Sequence, residues 1–245
     1  MTIGCFADRV GELIRLTAPE RAALSALEER ERHVRRNGVL FREKDTTSEL
    51  FIIRRGLMMN YVLLDDGSRQ ILRFLFPGDM AGTGGLVYRG SPETTMAMTD
   101  TVVCGFEREA LGRLMRDHPR LGGVILAVAQ IERVALTDRL AALGRRPAKS
   151  RVAALLLDMR NRYRALDNAI GATFVLGLTQ EEIGDATGLT AVHVNRMLRQ
   201  LEDERLISRD HGRLHLLNEP ALRRAANYTD RYENIDVSWL PAAVE

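Results

Sequence analysis

What most constrains the fold of this chain is a change of sequence period at Pro119. Before it, from Val34 to Val103, runs rich in β-branched and aromatic residues (VLFRE, ELFIIRRG, LMMNYVLL, QILRFLF, MAMTDTVVCGF) read as short strands. Turn formers divide them: Asn37-Gly38, Asp65-Asp66-Gly67-Ser68, Pro77-Gly78-Asp79 and Gly90-Ser91-Pro92. Strands so short and so regularly spaced close on themselves or stack in two layers. After Pro119 the period is helical. Leu121 to Leu143 contains no proline, and Val124, Val128, Ile131 and Ala135 recur at helical spacing, as do Ile125, Glu132, Leu136, Leu140 and Leu143. Two apolar stripes on one helix need two covers. The chain's own β region is one, and the economical second is a copy of the same helix. Val124, Val128, Ile131 and Ala135 are the candidates for that dimer seam. A helix buried on both sides within a single chain is the plainer alternative.

Gly144 to Arg151 (GRRPAKSR) breaks the pattern, with Gly144 as a helix C-cap and Pro147 at the next start, and reads as a hinge. Val152, Leu155, Leu156 and Met159 then share one face of a further helix. The stretch Leu178 to Leu217 carries the most information. Thr179 followed by Glu182 is a capping box, Ile183 faces inward, and Gly184 is small where a second helix must approach. Gly188 supplies the positive φ of a tight turn, and Thr190 caps a second helix whose buried stripe is Val194, Leu198 and Leu201. Short helix, glycine turn and longer helix make a helix-turn-helix.

Opposite the buried stripe stand Val192, Arg196 and Arg199, flanked by His193 and Asn195. Arginine can bond guanine O6 and N7 together, asparagine can do the same for adenine, and valine can meet a thymine methyl. Beyond this helix, LISRD and RLHLL flank His211-Gly212, a hairpin turn that makes a wing, with Arg209 and Arg213 placed for phosphates. Thr179 and Thr190, at the two helix starts, complete the candidate DNA-binding set. An ordinary helical hairpin with a solvated arginine face is the bland alternative. Net charge does not decide between them, because 35 basic and 33 acidic side chains leave only +2. No zinc-protease, P-loop or nucleophile-elbow motif appears, and the carboxylate pairs sit in a turn and a helix's first turn, so no enzyme is expected. The longest apolar stretch falls far short of the roughly 20 residues that span a bilayer, and the first residues lack the pattern of a signal peptide. A cytoplasmic protein with no membrane partner is expected.

On the segments LTQEEIGDATGLTAVHVNRMLRQLE, GVLFREKDTTSELFIIRRG and GSRQILRFLFPGDMAG, and on the turn Gly82 to Leu86, the chain resembles the Crp/Fnr family of bacterial transcription regulators over almost its whole length. The resemblance implies an α+β architecture. It comprises a double-layered, jelly-roll-like β-roll similar to a cyclic-nucleotide-binding domain (1–118), a dimerisation helix (119–144), a winged helix-turn-helix (145–233) and a tail (234–245). It also implies a homodimer on a palindromic operator and contact with RNA polymerase. A sensor acting on a protein partner through its C-terminal half is the rival function.

The departures from the family pattern concern the effector. By resemblance, the effector pocket would involve Gly82, Thr83, Gly84, Gly85, Thr94 and Thr95. Members that bind cyclic AMP carry a glutamate where this chain has Thr83 and an arginine where it has Glu93. A carboxylate repels the cyclic phosphate, which argues against cyclic AMP. Two cysteines, Cys5 and Cys104, are too few for the four-cysteine iron–sulfur cluster of oxygen-sensing members. Haem stays open, with His33, His118, Met58 and Met59 as available ligands in no diagnostic pattern. In the recognition helix Arg196 matches the family's guanine-reading arginine, whereas Val192 stands where many members have a glutamate and Asn195 where they have serine or glycine.

Overall fold

The computed structural model describes residues 6–243; Cys5 lies outside the described residues. Two short helices, α1 (Phe6–Gly11) and α2 (Ala18–Ser25), precede eight strands: β1 (Glu31–Val34), β2 (Val39–Phe41), β3 (Glu49–Arg55), β4 (Met58–Leu63), β5 (Arg69–Leu75), β6 (Met80–Ala81), β7 (Thr94–Ala97) and β8 (Thr101–Glu107). They form two antiparallel four-stranded sheets, ordered β1-β8-β3-β6 and β2-β7-β4-β5. Ile52 of β3 stands opposite Cys104 of β8, and Cys104 in turn opposite Glu31 of β1. Inward side chains such as Phe41, Phe51, Ile53, Met58, Leu75 and Val103 make one apolar core. The double-layered β fold expected from the strand spacing is therefore present.

Helices α3 (Arg108–Asp117) and α4 (Pro119–Arg145) follow, then α5 (Ala148–Leu166), strand β9 (Thr173–Val175), α6 (Gln180–Thr187), α7 (Ala191–Asp203), strands β10 (Ile207–Asp210) and β11 (Arg213–Leu216), and α8 (Glu219–Ala226). By its contacts the chain divides into two compact units. The first comprises residues 1–62, 72–134 and 232–245; the second comprises 63–71 and 135–231.

In the first unit a second apolar cluster joins α1, α2 and α3 to the start of α4. Phe6, Leu24, Leu50, Ile52, Phe106 and Leu111 pack there with Leu121, Val124 and Ile125. Val124 is thus fully enclosed by its own chain, and Val128 rests on the same cluster. This corrects the expected dimer seam at Val124. Val124 has no surface left for a second copy, Val128 and Ile131 are half-buried, and Ala135 alone of the four is exposed. The outward stripe of α4 is Leu126, Ala129, Arg133, Leu136 and Leu140, at alternating spacings of four and three, with Leu140 71% exposed. The tail also belongs to the first unit. Leu240 and the ring of Trp239 sit over Gly123, where an added Cβ would lie 2.5 Å from Leu240 Cδ2. The Arg9 guanidinium lies 5.4 Å from the centre of the Tyr232 ring.

The second unit is built on Val152, Leu155, Leu156 and Met159 of α5, which are buried as their spacing predicts, with Ile183, Val194, Leu198, Leu214 and Leu222. Buried Arg160 of α5 pairs with Glu219 at the start of α8. Arg69 pairs with Asp185 of α6 at 2.7 Å, and Arg231 pairs with Asp138 through two hydrogen bonds.

Candidate nucleic-acid interface

The two helices of the motif start where the sequence places them. Thr179 Oγ1 accepts from the Glu182 amide at 3.1 Å, while the Glu182 carboxylate accepts from the Thr179 amide at 2.7 Å, a complete capping box. Thr190 Oγ1 accepts from the His193 amide at 3.3 Å and opens α7. Between them Gly188 is left-handed, at φ 64°. Gly184 lies so close to the turn that a Cβ there would fall 2.4 Å from the Leu189 carbonyl oxygen. Only glycine lets the two helices approach this far.

With Val194, Met197, Leu198 and Leu201 buried, the other side of α7 is presented outward. Val192 is 81% exposed, and His193, Arg196 and Arg199 are exposed beside it. Asn195 is half-buried at the edge of this face, and its Nδ2 donates to Gln180 Oε1 at 3.2 Å. Gln180 was not among the residues expected from sequence, because a glutamine at the first helical position signals only a helix start.

The wing is the expected hairpin of β10 and β11, turning at His211 (φ 46°) and Gly212 (φ 76°). A third strand, β9, pairs with β11. Arg213 is exposed, whereas Arg209 is held by Glu202 of α7 through two hydrogen bonds of 3.0 and 2.7 Å. The hydrogen bond from Arg209 holds the Glu202 carboxyl below the usual carboxylate range.

The six effector-pocket residues expected from resemblance lie in the first unit. Gly82 is left-handed, Thr83 to Leu86 form one tight turn, and Gly84 abuts the ring of Pro92. Thr94 and Thr95 are buried with their hydroxyls engaged: Thr94 accepts from the Glu43 amide at 3.0 Å and Thr95 donates to Asn60 Oδ1 at 2.8 Å. Asn60 Nδ2 in turn donates to the Glu93 carboxylate. Burial pushes the Glu93 carboxyl up, against the pull of Arg73 and Asn60, and the Glu132 charge adds to the rise. Arg73 grips Glu132 of α4 with two hydrogen bonds of 2.8 and 2.9 Å, tying β5 to that helix. Of the other sensing candidates, His33 is exposed on β1 and His118 half-buried after α3, while Met58 and Met59 are fully enclosed. Cys104 is buried, which pushes its thiol up and away from the reactive thiolate.

Two capped helices crossing at a glycine, an arginine-bearing outer face and an adjoining wing define a winged helix-turn-helix, the working part of a DNA-binding regulator. The chain belongs to the Crp/Fnr family of such regulators. Residues 150–225 match the family model of the Crp-like helix-turn-helix domain, and residues 31–118 match that of the cyclic nucleotide-binding domain. The nitrogen fixation regulation protein FixK of Bradyrhizobium diazoefficiens is 35% identical over 187 residues, 76% of this chain and 77% of that protein. The transcriptional activator protein Anr of Pseudomonas aeruginosa is 26% identical over 203 residues, 83% of either chain. Among solved structures, FixK2 from Bradyrhizobium japonicum aligns with a TM-score of 0.73 at 27% identity, covering 82% of this chain and 98% of that one. These relatives are transcription regulators and not enzymes, and this chain is a DNA-binding transcription regulator of the same type. No helix among the described residues is long and apolar enough to cross a membrane.

Two outcomes follow from this geometry. In Gly184→Ala, the gain in helix propensity of about 1 kcal/mol is outweighed by overpacking against a backbone carbonyl, which costs about 1–3 kcal/mol. A lower melting temperature and weaker DNA binding are expected, read by calorimetry and by fluorescence anisotropy of a labelled duplex. For Glu93, burial places the folded-state pKa above the unfolded one, so its charged form costs stability increasingly as the pH rises through that interval. Glu93→Gln removes that cost while its amide oxygen still accepts from Asn60. The variant is expected to melt higher than the parent near pH 7 and to lose this advantage near pH 4; thermal melts across pH decide.

Proposed function

We propose that the chain acts in the cytoplasm as a homodimer that sets one α7 into the major groove at each half of a palindromic operator, without cyclic AMP. The outer face of α7 carries this reading: Val192, Arg196 and Arg199 stand exposed beside a wing that offers Arg213. Arg196 supplies two donors to guanine O6 and N7, and Val192, which cannot accept from cytosine, meets a methyl group instead. Arg199 and Arg213 serve phosphates. Arg209 joins them only by exchanging Glu202 for a phosphate oxygen.

In this reading the second copy packs on the outward stripe of α4, and the support is that Leu126, Ala129, Leu136 and Leu140 have the spacing of a coiled-coil seam. Independence from cyclic AMP is supported by Glu93, which puts a carboxylate where the cyclic phosphate would sit, and by Thr94 and Thr95, whose hydroxyls already have partners. Contact with RNA polymerase is the family's habit and completes the reading.

Selection of duplexes from random DNA by the purified chain tests it. The expected product is a palindrome retaining the guanine read by Arg196, bound equally with and without cyclic AMP, with an affinity that falls steeply with salt. Arg196→Ala is expected to cost about 1–3 kcal/mol and to relax preference at one base pair per half-site. Leu140→Glu is expected to keep the folded-state melting profile but sediment as a monomer and lose the operator. A flat salt dependence, or a dimer that survives Leu140→Glu and Leu136→Glu together, overturns the respective part.

A further inference from the structure

The hydrogen bond between Asn195 and Gln180 has no part in capping or packing, yet it lies at the edge of the face that meets DNA. Gln180 is the first residue of α6, and Asn195 lies just beyond the first turn of α7. They meet between the two helices whose connecting turn packs on Gly184.

Their pairing changes what each amide can offer. A hydrogen bond between two carboxamides consumes one N–H and one carbonyl. Whichever way round the two amides stand, one carbonyl oxygen and one NH2 group remain side by side. Guanine presents two acceptors in the major groove and needs two donors, which Arg196 supplies. Cytosine and thymine present a single donor or a single acceptor there. Adenine alone places a donor, N6–H, beside an acceptor, N7.

We infer that Gln180 and Asn195 act as one composite reader, drawn from both helices of the motif, that selects adenine at one position of each half-site. This rests on the DNA-reading role of α7 proposed above. It adds a specificity-determining residue outside the recognition helix. With its amide N–H turned to Gln180, Asn195 offers a base its carbonyl, and the Gln180 amide supplies the donor that stands beside it.

Sequence selection with three variants tests the pair, with the Arg196 guanine serving in each as the internal report that α7 is intact. Gln180→Ala and Asn195→Ala are each expected to lower the preference for adenine at the same base pair by about tenfold or more. The double variant is expected to lose no more than the stronger single one. Gln180→Glu leaves two acceptors in place of an acceptor and a donor, so its preference at that base pair is expected to move from adenine to cytosine, whose N4–H is a donor. A Gln180→Ala chain that keeps its adenine preference would show that Asn195 reads the base without Gln180, and would overturn the pair while leaving the regulator reading intact. Losses that multiply in the double variant overturn it as well. Failure of the parent chain to enrich any sequence would remove the regulator reading and the composite reader together.

Discussion

The whole binding face of this regulator depends on one approach between backbones, that of Gly184 in α6 to the carbonyl of Leu189 in the turn. The crossing lets Val194, Leu198 and Leu201 reach the core of the second unit, and so it decides which side of α7 is left for solvent. Two capping threonines absorb amides that the helix starts would otherwise leave without partners. The exposed arginines therefore stand on a scaffold whose helix starts are already capped. Arg209 is bonded to Glu202, whose carboxylate also feels the charge of Arg199.

In the β unit, Thr94, Thr95 and Glu93 spend their polar side-chain groups within the chain itself. Thr95, Asn60 and Glu93 form a chain of hydrogen bonds, and Thr94 holds the Glu43 amide. Beside them Arg73 clasps Glu132, a two-pronged arginine–carboxylate contact of the stronger kind, between a sheet and the long helix. The sheet is joined to α4 by side chains of the protein itself, one helical turn before α4 bares Leu136 and Leu140.

The helix-turn-helix was legible almost to the residue, because glycine, threonine and glutamate at fixed offsets each have a specific backbone consequence there. The strands were legible where one face met the core. Strand β1 was not, since of Glu31, Arg32, His33 and Val34 only the last is buried, and β6 is too short to show a period. The run MAMTDTVVCGF concealed a reversal, with residues 98–100 separating β7 from β8. Periodicity revealed two apolar stripes on α4 but gave no means of telling which would meet the chain's own core. The half-turn difference between Val124 and Leu126 is settled by packing against α1, α2 and α3, which no local pattern records. Gln180 stayed hidden for a related reason, as its partner lies fifteen positions away on another helix.

Order of synthesis gives the tail a further meaning. Leu240 packs on a cluster whose other members, from Phe6 to Val128, leave the ribosome far earlier, with residues 135–231 of the second unit translated in between. Until Trp239 and Leu240 emerge, Gly123 lacks these two neighbours and the first unit carries an uncovered apolar notch. Translation halted between residues 226 and 239 therefore leaves every residue of the two DNA-reading helices in the chain, but not the side chains that cover Gly123 in the first unit.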